Sequence, residues 1–271
     1  MITKREIRNS LLRAGLKKDM TLLMSSSLIS LGRIHFENYY EIFFNEIMRI
    51  IGKKGTLCVN SYTTDVVRYN KIYLGKKTPS NAGGFDNFLR GLKSSFISDH
   101  PAHSVAAYGY NAKYICSNNG SNNYDLNSPY FKLLNLKAKI LRLGIDYDIN
   151  TFAHVAEALC GVPYFYCKWV KVKKKNNNKF YSMYVRHLGY DLTFNRKKLK
   201  RDLNSNIKVK IKNSSLGSGK VYLLDANEYF NHIKKKLSKD PHYLLKKIPR
   251  YKKGLIPYDG PSKGRDGVIK R

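Results

Sequence analysis

The sequence predicts an α/β fold, with a layered, mostly parallel central sheet flanked by helices and additional antiparallel strands in the C-terminal portion. Two observations predict it. Through residues 1–163, short apolar runs of strand length alternate with amphipathic segments of helix length, the pattern of helices packed on a sheet. Beyond Pro163 the apolar residues recur at every second position, as in a hairpin. An apolar content of 42% over 271 residues is enough to bury a substantial core.

The elements follow in order. Residues 3–15 form an amphipathic helix with Ile7, Leu11, Leu12 and Gly15 on one side, and residues 20–24 a short apolar strand running into a serine-rich turn, residues 25–32. Residues 39–51 form a second helix with Tyr40, Phe43, Phe44, Ile47 and Ile51 inward. Gly52 ends it, and residues 55–60 begin the next strand. A loop spans residues 71–84, a helix residues 85–92, and a polar loop delivers residues 94–109 into an apolar strand. A helical turn at 112–116, a loop at 121–130 and a segment at 131–136 lead to the strand at 140–145. Residues 165–172 and 180–185 pair as a hairpin, 196–201 is helical, 207–211 and 220–224 are short strands, and Asp225 caps a helix reaching Leu237. A single domain over 1–271 is expected, divided into a core (1–163), a basic C-terminal subdomain (164–245) and a basic tail (246–271) rich in Gly and Pro.

The formal net charge is +31, and 29 of the 50 Lys and Arg but only 7 of the 19 Asp and Glu lie beyond Phe165. Such a chain attracts anions and repels polycations at long range. The N-terminal residues are charged and carry no apolar leader, and no apolar run reaches bilayer length, so a cytoplasmic protein is expected. Contact with an anionic membrane would be peripheral, and oligomeric state is left open. Cys58, Cys116, Cys160 and Cys167 show neither C-x-x-C nor zinc spacing, which predicts reduced thiols and no metal site.

Residues 141–159, LRLGIDYDINTFAHVAEAL, read as a strand, a turn rich in carboxylate and amide side chains, and a helix. With Thr151 as N-cap, His154 falls in the first helical turn and Glu157 three residues on, on one face. The positive helix end disfavours imidazolium, so His154 can serve as a base, with Glu157 or Asp148 fixing its tautomer. The same spacing also fits a packed histidine on a capped helix.

Several stretches, in order, resemble the antibiotic acetyltransferase family typified by aminoglycoside 3-N-acetyltransferases. Residues 25–32, SSSLISLG, are similar to its H-S-S-L-S-S-I-G turn, and Gly55-Thr56-Leu57 to its G-T-L. Residues 98–104, SDHPAHS, are similar to R-S-x-H-P-x-x-S without the arginine, and Ser128-Pro129 to its S-P. Residues 143–157 resemble L-G-x-x-x-D-x-x-T-x-x-H-x-x-E. The resemblance covers roughly residues 20–157 well and the remainder faintly, through Gly219-Lys220-Val221. Three positions depart from the pattern: Ser25 stands for the turn histidine, Ile97 for the arginine and Asn60 for a proline.

The resemblance implies transfer of an acyl group from acetyl-CoA, or another acyl-CoA, to an amine, without a metal. His154 would take the amine proton, with Glu157 and Asp148 as orienting carboxylates. Ser26, Ser27 and Gly32 would meet the coenzyme through backbone N–H groups and hydroxyls. Ser104 is a further coenzyme ligand or a strand-start hydroxyl, and Thr151 and His100 are substrate contacts. His103 is left out, since H-x-x-H with no third ligand is weak evidence for a metal. Because the net charge repels polycations, the expected substrate is a nucleotide- or lipid-linked amino sugar of polysaccharide assembly, with an aminoglycoside as the alternative. A non-enzymatic basic protein binding nucleic acid or another anionic partner is the second alternative. No helix-turn-helix, zinc or single-strand-binding motif supports nucleic acid.

Overall fold

Three strands run parallel at the centre of the large sheet, and the candidate site is built at their carboxyl ends. The computed structural model describes residues 2–34, 37–186 and 192–250. Helix α1 (Lys4–Arg13) starts at a capping box: the Thr3 hydroxyl accepts from Glu6 N–H at 3.2 Å, and the Glu6 carboxylate accepts from Thr3 N–H at 2.8 Å. Strand β1 (Thr21–Ser26) runs into a 3₁₀ turn, Leu28–Leu31. Helix α2 (Tyr39–Ile51) buries Phe43, Phe44, Ile47 and Ile51 as expected and ends on Gly52 at φ 68°.

Strand β2 (Thr56–Ser61), helix α3 (Thr64–Arg68) and strand β3 (Ile72–Tyr73) follow, then helix α4 (Gly84–Gly91) and strands β4 (Phe96–Ile97) and β5 (Ser104–Gly109). Helices α5 (Ala112–Cys116) and α6 (Pro129–Asn135) precede β6 (Lys139–Leu143) and α7 (Thr151–Cys160). The hairpin of β7 (Phe165–Lys174) and β8 (Asn178–Arg186), then α8 (Arg196–Asn204), β9 (Lys212–Leu216), β10 (Gly219–Asp225) and α9 (Ala226–Leu237), complete the chain.

The large sheet has the order β4-β5-β2-β1-β6-β10-β9. β1 is parallel to both β2 and β6, with Thr21 opposite Thr56 and Leu22 opposite Lys139. The flanking strands pair antiparallel, so the parallel part is confined to the centre. Alternation along β1, β2 and β6 sends Leu22, Met24, Leu57, Val59, Leu141 and Leu143 to a core shared with α1, α2 and α4. Leu23, Cys58 and Ile140 face the opposite core, under α5, α6, α7 and α9. Burial on both faces is why these strands read as continuous apolar runs.

The C-terminal portion divides between two sheets. β7 and β8 join β3 in a small sheet, where Val170, Val172, Tyr181 and Met183 pack on Val66 and Val67. β9 and β10 extend the large sheet instead. The strand expected over 207–211 is not formed; that segment is a turn with Ile207 exposed, and β9 lies at 212–216. The tight Gly217-Ser218 turn pairs Leu216 with Gly219, so the residues just before the turn become the partner strand despite their polar sequence. Of the basic tail, residues 251–271 lie outside the described residues. Among the described residues no helix is long and apolar enough to cross a membrane.

Candidate active site

The parallel strands end at Ser26, Ser61 and Leu143, and the antiparallel β5 begins at that same edge with Ser104. The loops after β1, β2 and β6 and the loop before β5 therefore meet in one region, the position where open α/β sheets bind ligands.

α7 carries the central pair. Its N-cap is Asn150, not Thr151: the Asn150 side chain accepts from Phe152 N–H at 3.0 Å, which moves Thr151 to the first helical position. His154 Nδ1–H donates to Glu157 Oε2 at 2.6 Å. Glu157 is fully buried, and its Oε1 accepts from the Tyr164 hydroxyl at 2.9 Å. Both carboxylate oxygens are thus engaged, and the imidazole is held with Nε2 free as the basic nitrogen. Phe165 and Phe194 flank the ring at 6.3 and 5.8 Å between centroids. The His154 side chain is 22% exposed, so the ring is reachable from outside.

Asp148 does not join this pair. Its fully buried carboxylate makes a bidentate bond to Arg196, at 2.8 Å to Nε and 2.9 Å to a terminal nitrogen. A carboxylate this deep needs a charged partner, and α8 supplies one. Asp148 therefore works on the loop. Its carbonyl accepts from the Tyr229 hydroxyl, while Arg142 donates to the carbonyls of Asp146 at 2.8 Å and Ile149 at 3.1 Å. These bonds set the segment from which α7 starts.

Thr151, one turn before His154, places Oγ1 at 3.1 Å from the Tyr62 hydroxyl and 3.3 Å from Asn60 Oδ1. Tyr130 donates to the same Asn60 oxygen at 3.1 Å. Tyr62, which follows β2, is singled out by no motif, and Asn60, near the end of that strand, stands out in the sequence only as a departure from the family's proline. Their signal is position, since side chains at the carboxyl ends of parallel strands line the ligand crevice.

His100 and Ser104 have structural partners where the sequence suggests ligands. His100 is 1% exposed; its Nδ1 accepts from His103 N–H and its Nε2–H donates to the Ser182 carbonyl, each at 3.1 Å. With both ring nitrogens bonded to backbone it has no group left for a substrate, and burial pushes its pKa down to about 4. Ser104 is buried, and its hydroxyl donates to the Ser61 carbonyl across the β2–β5 pair.

His103, for which spacing gives no role, lies in the crevice. Its ring stands edge-on to Tyr62 at 5.1 Å and stacks on Tyr124 at 5.8 Å. Burial holds its pKa down to about 3, with smaller contributions from His100 and His154.

In the serine turn, Ser27 N–H donates to the Leu143 carbonyl at 2.8 Å, and its hydroxyl is 2.7 Å from that of Ser30. Ser26 is half-buried. Gly32 takes φ 101° beside the turn between β9 and β10, where Ser218 N–H donates to the Leu31 carbonyl at 2.9 Å. A side chain on Gly144 would collide with the Ser27 carbonyl, so the turn after β6 packs directly on the serine turn.

One further carboxylate belongs to this edge. Asp86, in the first turn of α4, is 8% exposed and has no hydrogen bond or ion pair among the described residues. Burial raises its pKa to about 7. Glu46, Asp148 and Glu157, the other buried carboxylates described, each have a charged or titratable partner. Burial raises the pKa of the neighbouring Tyr62 hydroxyl, and the Asp86 charge adds to that shift. No group of three or more potential metal ligands gathers among the described residues. A separate cavity of about 420 Å³, lined by Tyr73, Lys76, Ile97, Asp99 and Lys174 among others, lies beside β4 and shares none of the residues above.

Comparison with known proteins places this architecture. The family described as aminoglycoside 3-N-acetyltransferase matches residues 23–238. A Bacillus subtilis (strain 168) protein, the SPbeta prophage-derived aminoglycoside N(3')-acetyltransferase-like protein YokD, is 28% identical over 180 residues, 57% of this chain and 64% of that protein. The match thus spans less than two thirds of that relative's length.

Among solved structures, the aminoglycoside acetyltransferase AAC(3)-IVa apoenzyme superposes with a TM-score of 0.76 at 20% identity, covering 91% of this chain and 92% of that one. AAC-IIIb, in a binary complex with CoASH, gives 0.75 at 18% identity, covering 91% and 99%. YokD from Bacillus subtilis gives 0.70 at 22% identity, covering 91% and 96%. At these identities the structures show a shared fold. From the extent of the family match, the chain belongs to the aminoglycoside 3-N-acetyltransferase family.

Proposed function

We propose that this chain transfers the acetyl group of acetyl-CoA to one amine of an aminoglycoside-type amino sugar, with His154 as the general base. The observation that carries the reading is the 2.6 Å bond from His154 Nδ1 to the buried Glu157, which leaves Nε2 as the proton acceptor on a ring open to solvent. An amine must lose a proton as it attacks a thioester, and a neutral imidazole with a carboxylate behind it can take that proton and stabilise the resulting charge. Glu157 orients the ring, and Tyr164 holds Glu157. Asp148 has a positioning role through Arg196 and the loop before α7.

The edge formed by Ser26, Ser27 and Gly32 suits the coenzyme. Ser26 is half-buried at the end of β1, and the close packing of Gly32 on Ser218 and of Gly144 on the Ser27 carbonyl fixes the turn to which it leads. The complex of AAC-IIIb with CoASH supports a coenzyme in this fold. Ser104, with its hydroxyl committed to the Ser61 carbonyl, is not among the coenzyme contacts proposed. Thr151 is retained as a substrate-side hydroxyl, and His100 is not.

The substrate class revises the expectation drawn from net charge. The relatives named above are aminoglycoside enzymes or similar to them, and structures of AAC-VIa with sisomicin and of an AAC(3)-IVa mutant in complex with a gentamicin show such sugars bound in the fold. A charge of +31 acts at long range and is screened beyond about 8 Å at physiological salt, whereas binding is decided by neighbours. The unpaired Asp86 is a local acceptor for an ammonium group. Its free carboxylate supports a cationic sugar over a phosphate-bearing one.

Thiol release from acetyl-CoA tests the reading, with gentamicin and sisomicin as one arm and a uridine-diphosphate amino sugar as the other. Turnover with the aminoglycosides, abolished by His154→Ala, is the expected result. Turnover confined to the nucleotide sugar would return the choice to the phosphate-bearing class, and none with either would refute the activity.

A further inference from the structure

His103 is a half-buried histidine whose tautomer is dictated by its neighbours. Asn123 is fixed at both ends of its amide: Oδ1 accepts from Tyr184 N–H at 2.8 Å, and Nδ2 donates to the Tyr184 carbonyl at 3.2 Å. The amide cannot flip without placing two donors face to face. Its NH₂ therefore also donates to His103 Nδ1, at 2.6 Å. A nitrogen that accepts carries no proton, so in the neutral ring the proton is on Nε2.

That Nε2–H has no hydrogen-bond partner among the described residues, and it is not sealed in the interior. The ring is held rigidly, stacked on Tyr124 and edge-on to Tyr62. Tyr62 reaches Thr151 at 3.1 Å, one helical turn before His154. His103 is thus a preset neutral donor facing the crevice that holds the general base, in a setting that resists imidazolium formation.

We propose that His103 is a catalytic residue whose Nε2–H donates to the carbonyl oxygen of the acetyl thioester and to the oxyanion that this oxygen becomes. This rests on the acetyl-transfer reading above. In the step, the amine nitrogen forms a bond to the carbonyl carbon, the C=O π pair moves onto oxygen, and His154 Nε2 takes the amine proton. The C–S bond then breaks, the oxygen pair re-forms C=O, the pair from C–S leaves as coenzyme A thiolate, and His154 returns its proton to that sulfur. His103 gives up no proton. A neutral donor aimed at the developing charge lowers the barrier more than it stabilises bound substrate.

Two near-isosteric variants separate this role from a packing role. In His103→Gln the amide nitrogen replaces Nε2 and keeps the donor; in His103→Asn only the Asn123 side of the ring is replaced. Removing one oxyanion donor costs about 10²–10³-fold in kcat. We expect His103→Asn to lose that much with KM for the amine little changed, and His103→Gln to recover part of it. The spectroscopic readout is the infrared stretch of carbonyl-labelled acetyl-CoA bound to the enzyme. It should lie below its free value in wild type and in His103→Gln, and move back up in His103→Asn. A bound-carbonyl frequency identical in wild type and His103→Asn overturns the proposal and leaves the acetyl-transfer reading standing. Failure of wild type to bind acetyl-CoA overturns both.

Discussion

Replacing Glu157 by Gln keeps the shape of the side chain and removes its charge. The buried carboxylate has one oxygen on Tyr164 and the other on His154 Nδ1, 2.9 and 2.6 Å away. With the Tyr164 hydroxyl still donating to the carbonyl oxygen, the new NH₂ faces Nδ1 and donates to it. The imidazole proton then moves to Nε2, where the substrate amine needs a lone pair. The charge that opposed the imidazolium is lost as well. Two unit charges 4 Å apart at an effective dielectric constant of 20 attract by about 4 kcal/mol. At about 1.36 kcal/mol per tenfold in rate, this corresponds to roughly a thousandfold. Tautomer exchange lets part of the activity persist, so the expected fall in kcat is about 10²–10³-fold, inside the range for loss of a general base. The assay is thiol release under saturating acetyl-CoA and aminoglycoside, with ¹⁵N spectra of the imidazole reporting which nitrogen is protonated. A Glu157→Gln enzyme that is folded, still protonated on Nδ1 and within about threefold of wild-type kcat would refute the reasoning.

Other perturbations read the surroundings. Arg196→Ala should destabilise the fold by about 3–5 kcal/mol in urea denaturation, because it strands the buried Asp148 carboxylate. Asp148→Asn should cost clearly less, since the guanidinium left behind is 57% exposed and returns to water. His100, held near pKa 4 against an ordinary 6.5, binds its proton more readily in the unfolded chain. Its contribution is complete above pH 6.5 and is lost as pH falls toward about 4, so His100→Gln should flatten the drop in Tm over that window. Asp86 has the opposite sign: with its pKa raised from 3.8 to about 7, its favourable term is complete at low pH and is lost as pH rises through 7. Asp86→Asn should therefore raise Tm at about pH 8 and leave it nearly unchanged at about pH 4.

What was legible in the sequence was local. The stripe of α2, its stop at Gly52 and the His154-Glu157 spacing all depend on residues within a turn or two of each other, and each stands in the fold. Asn150 and Thr151 are both good caps by type; Tyr62 and Asn60, about 90 positions away, draw the Thr151 hydroxyl elsewhere and leave the cap to Asn150. The pairing of Asp148 with Arg196, 48 positions apart, is equally invisible to spacing, which makes Asp148, six residues before His154, a false partner for it. The value of His103 lies in a tautomer set by Asn123, across a loop, and no motif encodes it. The alternating residues 207–211 read as a strand, but hairpin register chose the polar segment beside the turn. Net charge spoke for the whole surface and carried little information about the local surroundings of the unpaired Asp86.

The most direct test of the central claim is the steady-state rate of acetyl transfer from acetyl-CoA to gentamicin by wild type and by His154→Ala at matched folding stability. Wild type should turn over, and the variant should be slower by about 10²–10⁴-fold with acetyl-CoA still bound. Equal rates in the two proteins would contradict the assignment of His154 as the base.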